Sequence, residues 1–165
     1  MISGLRPAGS REPSKATGDS MRKASALVAL LAILLVPTAC ASGGGPQKEV
    51  INPAGGEVTT PFAPIVRTGN LYFLSGVIGR SATGDIGEAT RQALESIQQR
   101  LQAVDLTLDD MVKCTVFLID MDDYQEMNRV YAEYFPSNPP ARSAVAVRAL
   151  PAAAQVEIEC IGAGR

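Results

Sequence analysis

The stretch "PIVRTGNLYFLSGVIG", residues 64–79, decides the fold. Branched and aromatic residues lie on both sides of a Gly69-Asn70 pair, and that pair is a turn signal between two apolar runs. The pattern predicts two strands around a tight turn. After Gly79 the period changes. In "DIGEATRQALESIQQRLQAVDL" the residues Ala89, Ala93, Ile97, Leu101 and Val104 recur at helical spacing, with Leu94 beside them. They predict an amphipathic helix of about 17 residues over 88–104.

Beyond that helix the period returns to that of a strand. "LDDMVKCTVFLID" holds a largely apolar strand over 111–119. Asp122 is then expected to cap a second helix in "DDYQEMNRVYAEYF", with Met127, Tyr131 and Tyr134 on one side and Pro136 as the stop. A "SNPPA" turn leads to a strand over 143–147, and "VEIECI", residues 156–161, is the last strand. The order is ββαβαββ. Both helices are expected on one face of a single mixed sheet, an α+β arrangement. "SAVAV" and "VEIEC" alternate, so the second face is neither clearly polar nor clearly apolar, and association of copies is a natural way to cover it. Cys114 and Cys160 fall in two of these strands. They are expected to be small buried fillers, the alternative being a disulfide if the strands are neighbours.

Composition removes several chemistries. The 165 residues contain no histidine, which excludes Ser-His-Asp and Cys-His nucleophile pairs. Three scattered cysteines do not replace the missing imidazole as metal ligands, so neither metal nor cofactor is expected. Charge is uneven. Residues 1–49 hold six basic and three acidic side chains, net +3; the totals of 15 and 17 leave nine and fourteen for residues 50–165, net −5. An acidic domain is a poor match for nucleic acid, whose affinity comes largely from neutralised phosphates.

The N-terminus reads as an address. Met21 is followed by Arg22, Lys23 and an apolar run over 24–36, the pattern of a secretory signal and too short for a comfortable membrane span. "PTACAS" comes next, then a Gly-rich tether. Cys40 fits lipidation in a bacterial lipoprotein signal, although Pro37 stands where leucine is usual; Ala39-Cys40-Ala41 also fits plain cleavage. Residues 1–20 carry no pattern. The expected division is leader and signal over 1–40, tether over 41–49 and folded domain over 50–163. The expected location is the cell envelope, or the cytoplasm if the signal is unused.

Two side chains carry the candidate chemistry. Arg142 comes after a rigid Pro139-Pro140 turn and could grip a carboxylate with two parallel hydrogen bonds. The competing reading is a strand-end arginine paired with any nearby acid. Glu157 and Glu159 sit two apart in the last strand and face the same side, so one is a candidate acid/base and the alternative is a solvated face. Ser75 lacks a base partner and is read as a hydrogen-bond donor, Gly76 as a point of close ligand approach, and Asn128 as a helix amide that could equally be plain surface.

In order and spacing, "RTGNLYFLSGVIG", "VKCTVFLIDMDDYQEMNRVYAEYF", "PPARSAVAVRALP" and "VEIECIGA" resemble the RidA/YjgF family of reactive-intermediate deaminases over roughly residues 50–163. The resemblance implies a chorismate-mutase-like fold and a homotrimer with a central barrel and ligand clefts between subunits. It implies that Arg142 binds a substrate carboxylate, that Ser75, Gly76 and Asn128 line the site, and that Glu157 serves as acid/base. Two positions depart from the family pattern: Phe62 stands where tyrosine is frequent, and Ala144 stands where cysteine is frequent. The implied activity is hydrolysis of enamine/imine acids such as 2-aminoacrylate to 2-oxo acids and ammonia. The rival is a non-catalytic trimer that captures small carboxylates or partner proteins. An endoribonuclease role, also attached to this family, fits poorly with net −5 and no histidine.

Overall fold

The computed structural model describes Gly45 and residues 47–165. The expected signal, Cys40 and most of the expected tether lie outside the described residues. The hairpin forms as expected, with β2 at Ile65–Thr68 and β3 at Leu71–Gly79. A strand that the sequence reading missed precedes it: β1, Lys48–Ile51, takes in the last two residues assigned to the tether. It is four residues long and gains its stability by pairing antiparallel with β2, Val50 opposite Val66, which no local pattern announces.

Helix α1 spans Ile86–Gln102, two residues earlier than expected, because Asp85 accepts from the Glu88 backbone N–H and sets the first turn. Then come β4, Met111–Leu118, α2, Tyr124–Tyr134, β5, Ala141–Ala146, and β6, Val156–Ala163. Asp122 is not the cap of α2. Asp120 accepts from the Asp122 N–H and starts a short 3-10 turn, Met121–Asp123, which runs into the helix. The element order is therefore βββαβαββ.

The six strands lie in the order β1-β2-β3-β6-β4-β5, with β4–β5 parallel and the other pairs antiparallel. The α+β class read from the sequence holds. Helix α1 packs on β3, β6 and α2, burying Ala89, Ala93, Leu94, Ile97 and Leu101, while α2 buries Met127, Val130 and Tyr131.

Register assigns the faces. Leu74, Cys160, Cys114 and Arg142 form one row across the sheet, and its first three members are buried in the core. Ile78, Glu157, Phe117 and Val145 form another row on the opposite, helix-free face. Phe73 and Val145 are 40% and 43% exposed. Strand alternation is interrupted once in β3. Ser75 and Gly76 together oppose the single residue Glu159, a bulge that moves the inward set from Tyr72 and Leu74 to Val77 and Gly79.

The two strand cysteines are bonded, which corrects the expectation of separate fillers. β4 and β6 are neighbours, their register places Cys114 directly opposite Cys160, and the Cα atoms are 4.1 Å apart.

Candidate functional site

Arg142 lies on edge strand β5, and the neighbouring helix builds its surroundings. The turn before it contains Asn138 at φ +53° and leads through Pro139 and Pro140 into the strand, so the chain enters β5 in one direction only. The guanidinium stacks on the Tyr131 ring at 4.6 Å from its centroid and lies 5.9 Å from that of Tyr124. Nη2 donates to Asn128 Oδ1, and Nη1 rests 3.9 Å from Met127 Sδ. Among the described residues no carboxylate pairs with it. The competing reading, a strand-end arginine paired with an acid, is therefore not what the structure has.

The two tyrosines respond differently to this neighbour. The Tyr124 hydroxyl is held below its ordinary pKa by its bond to Asn128 and by the Arg142 charge. Burial pushes Tyr131 up to about 12 despite the same cation. Its hydroxyl is buried and finds no hydrogen-bond partner among the described residues. Arg142, Asn128, Tyr131 and Pro140 line a hollow of about 440 Å³ at this edge. Ala144, two residues along β5, faces the core and packs against it.

Glu157 belongs to a second hollow, of about 600 Å³, lined by Phe62, Ser75, Gly76, Ser96, Arg100 and Glu157 among others. Strand β2 begins opposite Leu74, and the segment before it reaches one residue further, the Ser75 N–H donating to the Pro64 carbonyl at 3.0 Å; from Gly76 on, β3 has no strand on that side, and the hollow runs along this free edge. The glycine has a specific task here. A Cβ at Gly76 would fall 1.8 Å from Glu157 Oε1, so the carboxylate lies across the position where any side chain would stand. The missing side chain at Gly76 leaves room for the Glu157 side chain. The Ser75 hydroxyl, read from the sequence as a hydrogen-bond donor, donates to the Ala63 carbonyl at 2.6 Å. That bond ties down the segment carrying Phe62, which is 55% exposed at the rim. Glu159 shares Glu157's face and is exposed, lining a separate hollow with Lys113 and Phe73.

The expected residues thus fall into two groups. Arg142, Asn128 and Ala144 are together at one edge, and Phe62, Ser75, Gly76 and Glu157 are together at the other. Arg142 and Glu157 stand on opposite faces. Two strand spacings and three residues separate their backbones, roughly 14 Å. One chain cannot bring both to one small molecule. Sequence reasoning missed Arg100. It sits beside the α1 stripe, three residues after Ile97, and its Nη1 donates to the Ser75 carbonyl at 3.1 Å. A cation placed next to an apolar stripe was the available signal.

Known proteins share this architecture and much of its sequence. Residues 55–163 match the family model described as Endoribonuclease L-PSP. The chain is 35% identical over 127 residues to Reactive Intermediate Deaminase A, chloroplastic, of Arabidopsis thaliana, covering 73% of this chain and 68% of that protein. It is 35% identical over 107 residues to the 2-iminobutanoate/2-iminopropanoate deaminase of Homo sapiens, covering 61% of this chain and 78% of that one. The solved YjgF gene product of E. coli matches with a TM-score of 0.62 at 31% identity, over 72% of this chain and 100% of that one.

Proposed function

The chain belongs to the RidA/YjgF family, whose model is described as Endoribonuclease L-PSP, and from this we propose that it hydrolyses the C=N bond of small imino acids, releasing a 2-oxo acid and ammonia. The observation that carries the reading is the Arg142 guanidinium, held by α2 with no carboxylate partner among the described residues. It is a prepared seat for a substrate carboxylate, and that contact contributes about 1.5–3 kcal/mol.

The opposite placement of Arg142 and Glu157 requires two copies for one site. In the proposed homotrimer, the β5 edge of one copy lies against the free β3 edge of the next, and the helix-free faces, with Phe73 and Val145, turn inward as a barrel. The substrate carboxylate sits on one copy's Arg142. Glu157 of the neighbour accepts a proton from water as its oxygen bonds to the imine carbon. That proton passes to the nitrogen to give the neutral carbinolamine; Glu157 then takes the proton of the carbinolamine hydroxyl and delivers it to the nitrogen as the C–N bond breaks, so that ammonia leaves, the C=O forms and the carboxylate is regenerated. The imine carbon is already electrophilic, so orientation plus one acid/base group suffices, the latter worth about 10²–10⁴-fold. Ser75 holds the Phe62 segment in place, and Asn128 holds the guanidinium.

The bridged Cys114–Cys160 pair supports the export reading, because structural disulfides persist in oxidising compartments. Mass spectrometry of the mature N-terminus tests it: a chain beginning at or near Cys40 supports export, and a lipid mass on Cys40 supports the anchor.

The activity test generates 2-aminoacrylate in a coupled assay and tracks pyruvate. Wild type exceeds the spontaneous rate, and Arg142→Ala and Glu157→Gln each fall to it. Co-assembling the two inactive variants restores about a quarter of the sites, since each site draws its two residues from different copies. A mixture as inactive as its parents breaks the shared-site reading. Wild type no faster than the uncatalysed control leaves the non-catalytic carboxylate-binding trimer in its place.

A further inference from the structure

The hollow that holds Glu157 also holds a cation, Arg100, that the deamination reading does not use. Arg100 projects from α1 and is partly buried. A guanidinium has five N–H donors. Arg100 Nη1 donates to the Ser75 carbonyl. Among the described residues no carboxylate forms an ion pair with it, although Glu157 lines the same hollow. Burial alone draws its pKa below the ordinary arginine value, with no acid offsetting that cost.

Such a cation differs from the protein's paired arginines. Arg67, Arg91 and Arg129 each meet a glutamate at the exposed surface. Arg100 is instead turned into a hollow of about 600 Å³ that it shares with Glu157. Its anchor, the Ser75 carbonyl, is one residue from Gly76, across which the Glu157 carboxylate lies. The fork is therefore next to the reacting end of the site and on the same chain as the acid/base group.

We propose that Arg100 is a specificity-determining residue that receives a second, distal carboxylate, so that the substrate class is imino dicarboxylic acids of four or five carbons. This rests on the deamination reading for the reaction, but not for the binding. The α-carboxylate meets one copy's Arg142, the imine carbon lies by the neighbour's Glu157, and the distal carboxylate meets that same neighbour's Arg100. A neutral side chain leaves the Arg100 donors without an anion and gains less from the site.

Calorimetric titration of the full chain with 2-oxoglutarate and with 2-oxopentanoate, which has the same carbon count and lacks the distal acid, reads the inference without any turnover. Wild type is expected to bind the dicarboxylate about ten- to a hundredfold more tightly, the range of a charge-assisted hydrogen bond. Arg100→Gln removes that ratio, and Arg100→Lys keeps part of it as a point charge without the fork. Equal affinities in wild type overturn the proposal. So does a ratio that survives in Arg100→Gln, and so does loss of assembly in that variant on size-exclusion chromatography, which would make Arg100 a contact between copies. Failure of the deamination reading looks different: the protein accelerates ammonia release from no imino acid, while the binding ratio stands.

Discussion

The two edges of the sheet solve opposite problems. At β5 a cation must be held still without an acid. Tyr131, Tyr124 and Asn128 do this from one helix, through ring faces and an amide oxygen, so the charge stays available. At the free edge of β3 an acid must be placed across a strand. A bulge and a missing side chain at Gly76 make the room. The first edge is built by adding groups and the second by leaving one out. The proposed site, assembled from both, therefore fails in two distinguishable ways, by loosening the cation or by displacing the acid.

The largest expected effect comes from cutting the link between the edges. Cys114 sits opposite Arg142 in β4–β5 and is bonded to Cys160, three residues from Glu157 in β6. A bridge closing 46 residues contributes about 4 kcal/mol by the chain-entropy model. Urea unfolding with and without reductant should show a fall in unfolding free energy of that order, read as a lowered midpoint. An unmoved midpoint would mean that the bridge is absent or idle.

Gly76→Ala sharpens the acid side. The atom met first is the far end of a flexible glutamate, so the thermal midpoint should barely move, while deaminase turnover falls by about a hundredfold as the carboxylate is displaced. Equal losses of stability and turnover would instead mark Gly76 as a packing glycine.

Tyr131→Phe sharpens the cation side. The folded-state pKa of Tyr131 is raised to about 12, above the ordinary phenol value, so the stability tied to its protonated form is complete below pH 10 and is lost as pH rises from 10 to 12. That loss is on the order of 2 kcal/mol. Phenylalanine keeps the ring under Arg142, removes the unpartnered hydroxyl and should abolish this alkaline decline, leaving stability at pH 7 unchanged or slightly higher. Denaturant midpoints measured across that pH range decide it.

Ser75→Ala should have the smallest effect. It frees the Ala63 carbonyl and the Phe62 segment, at a cost of about 1 kcal/mol in stability. A severalfold rise in KM with kcat nearly kept is expected from steady-state kinetics. A matching fall in kcat would show the hydroxyl acting on the reaction itself.

Much of this was legible in the chain. The hairpin at Gly69-Asn70, the two helices and the three later strands could be read from period and turn residues, with boundary shifts of a few residues. Arg142 and Asn128 were read separately and proved to be partners, because β5 returns beside β4 with α2 packed over it. β1 was not legible: four residues have too little pattern to separate a strand from a tether. Asp122 was misread as a cap because three aspartates occur in four positions, 120–123, and only the backbone path selects Asp120.

The sequence by itself determined the kinds of element, the absence of histidine chemistry and the residue types able to hold a carboxylate and move a proton. These are local properties, set by spacing of two or 3.6 residues and by side-chain chemistry. The tertiary structure alone decided the Cys114–Cys160 bond, the bulge that places Ser75 and Gly76, and the opposite faces of Arg142 and Glu157. Each depends on strand register between residues far apart in the chain. A one-residue slip in that register turns every side chain to the other face, and nothing within a single strand records it.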